Sequence, residues 1–265
     1  MVDESDRAVL MSVPDTALRH KNVSYAPRTG ALGGMAGASS IAVRDALRRY
    51  SERVIEMCAA LLAPYAGTWR IELASFRPME ERGRNLPVRE RNDLLHLDAY
   101  PNRPSNGARI LRFFTNINPE RERLWVTSDP MHLLVDNQRF RALAQGAIAE
   151  ADSPWVGRLS AVGRSLGLAL PDRSPFDRAM LRLHDAMKRD RAFQAGCPKF
   201  HHRFAPGTSW LVFTDAVPHA VLEGRYALEQ SFFVSRESLR LPDLAPAAIV
   251  ERLAGKSMVP RMARL

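Results

Sequence analysis

Residues 94–98 read Leu94-Leu95-His96-Leu97-Asp98, and a later apolar stretch, 210–219, reads Trp-Leu-Val-Phe-Thr-Asp-Ala-Val-Pro-His. Alternate residues of a β-strand point to the same face, so we expect His96 and Asp98 to share one face while Leu97 enters the core. His219 completes the set of two histidines and one carboxylate that binds Fe(II) on one side and leaves the other side open. The spacing therefore predicts an iron site built between two β segments.

The apolar patterns around these residues predict two β blocks separated by helices. Strands are expected at 69–76, at 109–118 with a short one just after it, and again within 210–234. Apolar residues recur every three or four positions at 41–65 and within 136–190, which is typical of amphipathic helices. No strand followed by a glycine-rich loop and a helix is found, which argues against a doubly wound sheet. We therefore predict an α+β protein with a double-stranded β-helix core of the jelly-roll or cupin type, flanking helices and a helical insertion.

The same patterns divide the chain into three parts. Residues 1–40 are rich in glycine and small polar residues and are predicted to form an irregular N-terminal arm. Residues 41–235 are predicted to form a single domain that contains the helical insertion at about 136–190. Residues 236–265 are expected to form a basic C-terminal tail with a short helix.

The chain carries 38 lysine and arginine residues against 29 aspartate and glutamate residues, a formal net charge of +9. This excess favours an anionic partner, which could be nucleic acid, an anionic membrane surface or an acidic substrate. An arginine-rich proteome would give the same charge without any such partner. No zinc finger, helix-turn-helix or aromatic RNA-binding motif is found, so nucleic acid is not the expected partner.

The sequence also indicates where the protein is expected to act. Its N-terminus is acidic and polar rather than a secretory signal, and no apolar run reaches the roughly 18 residues of a spanning helix. Cys58 and Cys197 provide neither a disulfide framework nor a CxxC metal pair. A cytoplasmic protein is therefore expected.

An iron enzyme that uses 2-oxoglutarate also needs a cation for the distal carboxylate of that cosubstrate. Arginine suits this role because its guanidinium group binds a carboxylate through two parallel hydrogen bonds. Arg112 lies on the predicted strand 109–118, in phase with Phe114 and Asn116. Arg225 begins the strand that follows His219. The sequence leaves both arginines as candidates.

A His-x-Asp pair is by itself a weak signal, because it arises often by chance. The other histidines show how common the residue is. His184 lies in a helical pattern, His201 and His202 are expected in a loop, and His132 follows a proline turn. If His96 and Asp98 were only structural, the chain would be a non-enzymatic β-helix module whose basic surface binds an anionic glycan or nucleic acid.

Five stretches of the chain carry a family resemblance: 21–25 (Lys-Asn-Val-Ser-Tyr), 75–78 (Ser-Phe-Arg-Pro), 109–119, 174–188 and 210–230. In these stretches the chain resembles the Kdo 3-hydroxylases. They are Fe(II)- and 2-oxoglutarate-dependent dioxygenases that hydroxylate C3 of 3-deoxy-D-manno-oct-2-ulosonic acid (Kdo) in the inner core of lipopolysaccharide, giving the Ko sugar.

The resemblance implies a dioxygenase domain over 41–235, with His96, Asp98 and His219 as the ligands of Fe(II) and with 2-oxoglutarate and O₂ as cosubstrates. The expected contacts of 2-oxoglutarate are then Arg225, Arg112 and Asn116. The expected contacts of the acceptor are Arg77, Arg109 and Asn118.

The resemblance also implies a partner and a place of action. The acceptor would be the anionic Kdo–lipid A part of lipopolysaccharide, and the basic residues would favour peripheral contact with the anionic cytoplasmic leaflet of the inner membrane. Residues 85–93 differ from the Ser-Trp-Arg-Lys-Asp-Asp type of stretch expected before the His-x-Asp pair. Another anionic sugar or a protein side chain therefore remains an alternative acceptor.

Overall fold

The structure is a computed structural model that describes residues 1–152 and 171–259. Its strands form two antiparallel sheets, and helices pack on the outer face of each sheet. The mixture of helices and antiparallel sheets agrees with the α+β class predicted from the sequence.

The larger sheet has six strands: β1 (Val23–Ala26), β2 (Ala31–Gly33), β3 (Arg70–Arg77), β4 (Arg109–Asn116), β7 (Ser209–Phe213) and β9 (Ala227–Val234). Their spatial order is β2-β1-β3-β9-β4-β7, and every pairing is antiparallel. The strands predicted at 69–76 and 109–118 are thereby confirmed as β3 and β4.

The smaller sheet has three strands: β5 (Arg123–Thr127), β6 (Phe200–Phe204) and β8 (His219–Glu223), in the order β6-β5-β8. The predicted short strand after β4 is thus confirmed as β5. Strand β6 was missed, because His201 and His202 were expected in a loop.

The two sheets face each other across a small aromatic cluster. Phe114 of β4, Trp125 of β5 and Val221 of β8 are all buried in it. Phe204 and Trp210 extend the cluster, and their stacked rings lie 3.7 Å apart between centroids. Because side chains alternate along a strand, the neighbouring residues on these strands point away from the cluster.

Helix α2 (Ser40–Leu61) covers the outer face of the larger sheet, with α1 (Glu4–Met11) beside it. Its buried apolar residues recur mostly at three- and four-residue steps, which places them on one face: Val43, Ala46, Leu47, Tyr50, Val54 and Cys58. The short helix α3 (Ala63–Ala66) follows, with Pro64 in its first turn. The helix predicted at 41–65 is therefore confirmed as α2 and α3.

A second helical layer covers the smaller sheet. It consists of α4 (Met131–Leu134), α5 (Gln138–Ala151), α6 (Pro175–Arg189), α7 (Arg191–Gly196) and α8 (Pro246–Ala254). Helix α6 begins at a capping box in which Ser174 and Asp177 each bind the other's backbone N–H. This cap fixes the start of α6, whose residues border the functional site.

The prediction of an irregular arm at 1–40 is wrong. This segment contains α1, β1 and β2, and β1 pairs with β3 in the larger sheet. Arg49 of α2 also donates a 3.1 Å hydrogen bond to Asp6 of α1, which joins the segment to the helical layer. With four and three residues, β1 and β2 are too short for an alternating pattern to stand out in the sequence.

The insertion predicted at about 136–190 contains α5 and α6, but 153–170 lies outside the described residues. Helix α8 confirms a helix in the C-terminal tail, and it packs into the core through Ile249 and Val250. Residues 260–265 lie outside the described part, and the division into domains stays a prediction. Within the described residues no helix is both long and apolar enough to cross a bilayer.

The packing of α2 gives a direct stability test. Leu47 is fully buried, whereas Ile41 on the same helix is 63% exposed. We expect Leu47→Ala to lower the free energy of unfolding by about 2–5 kcal/mol, because it leaves a cavity in the core. Ile41→Ala should change it by less than about 0.5 kcal/mol. Urea unfolding measures both, and equal losses would contradict this packing.

Candidate functional site

The backbone brings His96 and His219 opposite each other. The N–H of His96 donates to the carbonyl of His219 at 3.2 Å, and the N–H of His219 donates to the carbonyl of His96 at 3.0 Å. Two residues later, the N–H of Asp98 donates to the carbonyl of Thr214 at 2.8 Å. His96 lies in an isolated β-bridge rather than in the regular strand expected from the sequence. This single bridge is nevertheless enough to bring the side chains of both histidines and Asp98 together on the same side of the two paired segments.

Hydrogen bonds also fix the orientation of the two imidazole rings. Nδ1 of His96 lies 2.7 Å from the carbonyl oxygen of Leu94, and Nδ1 of His219 lies 3.0 Å from that of Val217. A carbonyl oxygen only accepts, so each Nδ1 carries the proton and each Nε2 keeps its lone pair. The two Nε2 atoms lie 3.7 and 3.8 Å from Oδ1 of Asp98.

The electrostatics of these three residues suit a divalent cation. Burial, with the neighbouring His219, holds the pKa of His96 well below its usual value, and burial likewise lowers the pKa of His219. Burial alone would raise the pKa of Asp98, but Arg112 and the two histidines outweigh it and hold that pKa well below normal. Two neutral imidazoles and one carboxylate therefore converge, with ligand atoms within 4.8 Å of one another. They are the one such group in the described residues.

Arg112 connects Asp98 to a buried chain of charges. It binds Asp98 through Nη1, and its Nε donates to Oε1 of Glu229 at 2.7 Å. Arg77 donates to the other oxygen of Glu229 at 2.6 Å. Burial opposes ionisation of Glu229, yet the two arginines lower its pKa to about 2. Arg112 thus orients the carboxylate of Asp98, and its Nε, Nη1 and Nη2 donors are all occupied by the carboxylates of Asp98 and Glu229.

A cavity of about 530 Å³ opens beside the three residues. Both sheets and helix α6 contribute to its wall, and eight cationic side chains border it: Lys21, Arg77, Arg89, Arg103, Arg112, Arg123, Arg173 and Lys188. Among the described residues, only three carboxylates border the cavity beside these eight cations: Asp98, Asp185 and Glu229. The cavity is therefore suited to anionic ligands.

The structure places the two candidate arginines differently. Arg112 borders the cavity but is paired with Asp98 and Glu229. Arg225 does not border it; its Nε donates to the carbonyl of Pro78 at 3.0 Å and its guanidinium lies over the ring of Tyr226. Neither has a guanidinium free to face a ligand carboxylate in this cavity.

Three other expected contacts lie outside the cavity. Asn116 donates to the carbonyls of Arg121 and Phe204, at 2.9 and 3.0 Å, at the end of β4. Asn118 accepts from the backbone of the turn that follows. Arg109 binds Asp215 at 2.8 Å and lies over Phe213. Their hydrogen bonds hold strand ends and turns together, so the expectation that they contact ligands is not supported by their positions.

Arg123 is a cavity residue that was not predicted from the sequence; it is 1% exposed. Its Nη1 donates to the carbonyl of Gly224 at 2.8 Å, whereas Nε and Nη2 have no hydrogen-bond partner among the described residues. Oε1 of Glu81 lies 3.9 Å from Nη2, beyond hydrogen-bond distance. Burial, with the nearby Arg77, lowers the pKa of Arg123 to about 10. Gly224 has φ of +122°, and a Cβ there would lie only 3.0 Å from Arg123. A buried guanidinium with free donors is costly unless a ligand satisfies it.

Trp125, two residues further along β5, continues this wall. Its ring stacks on His219 with centroids 5.3 Å apart. Within the described part of the chain, neither the Nε1 of Trp125 nor the buried hydroxyl of Tyr100, another cavity residue, has a hydrogen-bond partner. The signal available in the sequence was the alternation of Arg123 and Trp125, which places both on one face once the strand is extended by one residue.

Helix α6 contributes another cavity residue, His184, whose helical pattern in the sequence indicated only a structural role. His184 borders the cavity, and its ring lies 4.9 Å from that of His96 between centroids. Its Nδ1 donates to the carbonyl of Leu97 at 2.7 Å, and burial lowers its pKa to about 4. The prediction of a partly buried histidine with a hydrogen-bond partner is thus confirmed. His184 nevertheless also forms part of the cavity wall.

The chain is similar to a known protein family. A family model described as 3-deoxy-D-manno-oct-2-ulosonic acid (Kdo) hydroxylase matches residues 1–257. No curated protein gave a significant sequence match.

Three solved structures of the Kdo hydroxylase KdoO, a non-heme Fe(II) α-ketoglutarate (2-oxoglutarate) dependent dioxygenase, are also similar. The complex with α-ketoglutarate and Fe(III) is 32% identical, with 94% of this chain and 82% of that chain covered and a TM-score of 0.82. The complex with succinate and Fe(III) is 30% identical, with 100% and 86% covered and a TM-score of 0.85. The apo structure is 31% identical, with the same coverage and a TM-score of 0.86. On the family match over 1–257 and these structural neighbours, the chain belongs to the Kdo hydroxylase family.

Proposed function

We propose that this protein is an Fe(II)- and 2-oxoglutarate-dependent dioxygenase that hydroxylates C3 of Kdo in the lipid A–inner core of lipopolysaccharide. The observation that carries the proposal is the convergence of His96, Asp98 and His219 beside a cationic cavity. Family membership favours the Kdo acceptor over another anionic sugar or a protein side chain. The buried metal-type ligands favour an enzyme over an anion-binding module.

His96 and His219 would hold Fe(II) through Nε2, and Asp98 through Oδ1. The free lone pairs, the ionised carboxylate and the three-point arrangement match the two-histidine, one-carboxylate sites of non-heme iron oxygenases. A bound Fe(II) would supply the oxidising chemistry, in which O₂ and 2-oxoglutarate are consumed, a C–H bond of the acceptor becomes C–OH, and succinate and CO₂ are formed. The protein residues position these groups and exclude water.

Arg123 is the cation that we assign to the distal carboxylate of 2-oxoglutarate, in place of Arg112 or Arg225. Its unpartnered Nε and Nη2 offer two donors in the geometry that suits a carboxylate. Trp125 separates it from His219 along one face of β5. Two residues of a strand span about 7 Å, a distance compatible with a five-carbon dicarboxylate that also reaches the metal.

We also infer that the core is a double-stranded β-helix. Two facing antiparallel sheets, with the site residues at one end between them, support this assignment. For the acceptor, the cationic cavity and the net charge of +9 support contact with an anionic lipid. We propose peripheral association with the cytoplasmic face of the inner membrane, where this charge would be attracted.

The metal assignment is tested by replacing single ligands. We expect His96→Ala, Asp98→Ala and His219→Ala each to weaken Fe(II) binding by at least about tenfold and to abolish succinate formation. His201→Ala is the matched control, because that histidine is exposed on β6. Anaerobic calorimetry with Fe(II) measures binding directly. Wild-type affinity in all three ligand variants would rule out this site.

The cosubstrate assignment is tested by comparing two arginines. We expect Arg123→Met to raise the KM for 2-oxoglutarate by about ten- to a hundredfold, since a charged hydrogen-bonded pair is lost. Arg225→Met should leave that KM close to the wild-type value, because Arg225 lies outside the cavity. The reverse result would return the role to Arg225.

The acceptor is tested by incubating the purified protein with Kdo–lipid A, Fe(II), 2-oxoglutarate and air. We expect the acceptor to gain one oxygen atom at C3 of Kdo, with one succinate formed per product. Mass spectrometry and NMR identify the product and the position of the new hydroxyl. Succinate at the level seen without acceptor, with no oxidised product, would argue for a different acceptor.

A further inference from the structure

Lys188 is a buried cation that has no carboxylate partner among the residues that the structure describes. It is 5% exposed and borders the cavity from helix α6. Its Nζ donates to the backbone carbonyl of Arg89 at 3.0 Å, and within 1–152 and 171–259 it forms no ion pair. An ammonium group has three donors, so two remain for a ligand.

A second lysine lies against the same turn. Nζ of Lys21, just before β1, lies 3.5 Å from the carbonyl oxygen of Glu90, the residue after Arg89. Lys21 borders the cavity and likewise forms no ion pair among the described residues. The two ammonium groups are thus held by neighbouring carbonyls of the turn Val88–Glu90.

This arrangement costs folding free energy. Burial lowers the pKa of Lys188 to about 8, with Lys21 acting in the same direction and Asp98 and Asp185 opposing it. Burial also lowers the pKa of Lys21, with Arg77 acting in the same direction. A buried charge without a partner is destabilising in the free protein, and a bound anion would relieve that cost.

The lysine pair is close to the proposed iron site. Lys188 lies one helical turn after His184, about 6 Å along the axis of α6, and both residues border the cavity. The ring of His184 in turn packs against His96. A group bound by Lys188 would therefore be a near neighbour of the reacting carbon.

We propose that Lys188 and Lys21 bind the carboxylate of the acceptor sugar and so orient its neighbouring carbon towards the metal. This inference rests on the proposed function. In a 3-deoxy-2-ulosonic acid the carboxylate is C1, only two bonds from the C3 that is hydroxylated. The phosphates of lipid A belong to other sugars and lie further from C3, so a subsite this near the metal fits the carboxylate better.

The test compares an acid with its neutral ester, using the methyl glycoside of Kdo and the methyl ester of that compound. Binding to the protein loaded with Fe(II) and 2-oxoglutarate is measured anaerobically by calorimetry. We expect the wild-type protein to bind the acid about ten- to a hundredfold more tightly than the ester. In Lys188→Met this preference should largely disappear, and Lys21→Met should reduce it.

Controls separate a binding role from a structural one. Lys188→Met should leave the affinity for 2-oxoglutarate unchanged and should not lower the melting temperature, because it removes an unpaired buried charge. Lys188→Arg should retain part of the preference for the acid. Lys199→Met, at an exposed lysine bonded to the carbonyl of Ala195, should behave as wild type.

Equal binding of acid and ester by the wild-type protein, or an unchanged preference in Lys188→Met, would overturn the inference. Competition by inorganic phosphate without any preference for the acid would assign the lysine pair to a phosphate instead and would also overturn it. Failure of the proposed function is distinguishable, since it means that no Kdo acceptor is hydroxylated at all. Hydroxylation without discrimination between acid and ester rejects only the lysine pair.

Discussion

The site depends on one reciprocal pair of backbone hydrogen bonds, between His96 and His219. These residues are far apart in sequence, yet the bonds hold them directly opposite, and a third bond fixes Asp98 beside Thr214. Backbone bonds are insensitive to side-chain rotamers, so the ligand positions are set by the pairing of two chain segments. The Nδ1 contacts then fix the rings, and only the Nε2 atoms remain for a metal.

The cations of the cavity differ in whether a protein carboxylate accepts their hydrogen bonds. Arg112 and Arg77 are occupied by Asp98 and Glu229, so they stabilise the ligand carboxylate and the wall. Arg123 and Lys188 are buried without carboxylate hydrogen bonds, at different parts of the wall. The proposed reaction between a dicarboxylate and a sugar acid requires two anion sites; Arg123 would provide one, and Lys188 together with Lys21 would provide the other.

The sequence was sufficient for the main elements and for the metal-type triad, because long periodic segments and a His-x-Asp pair are local signals. The helices and strands of 41–127 follow directly from apolar periodicity, and the family resemblance was carried by long motifs. The short strands β1 and β2 were missed, because their stability comes from pairing with β3 rather than from pattern. The side chains that contact the ligands could not be predicted from the sequence either. Whether Arg112 or Arg123 has free donors depends on which carboxylates fold against it, and that is a property of tertiary structure.

The proposed activity is tested most directly by a reaction under ¹⁸O₂ with Fe(II), 2-oxoglutarate and Kdo–lipid A. We expect one ¹⁸O atom in succinate for each hydroxylated acceptor, with the new oxygen on C3 of Kdo. We expect both products to disappear together in Asp98→Ala, because that variant lacks one of the three proposed metal ligands. Hydroxylated acceptor without labelled succinate, or unchanged turnover in Asp98→Ala, would contradict a 2-oxoglutarate-dependent reaction at this triad.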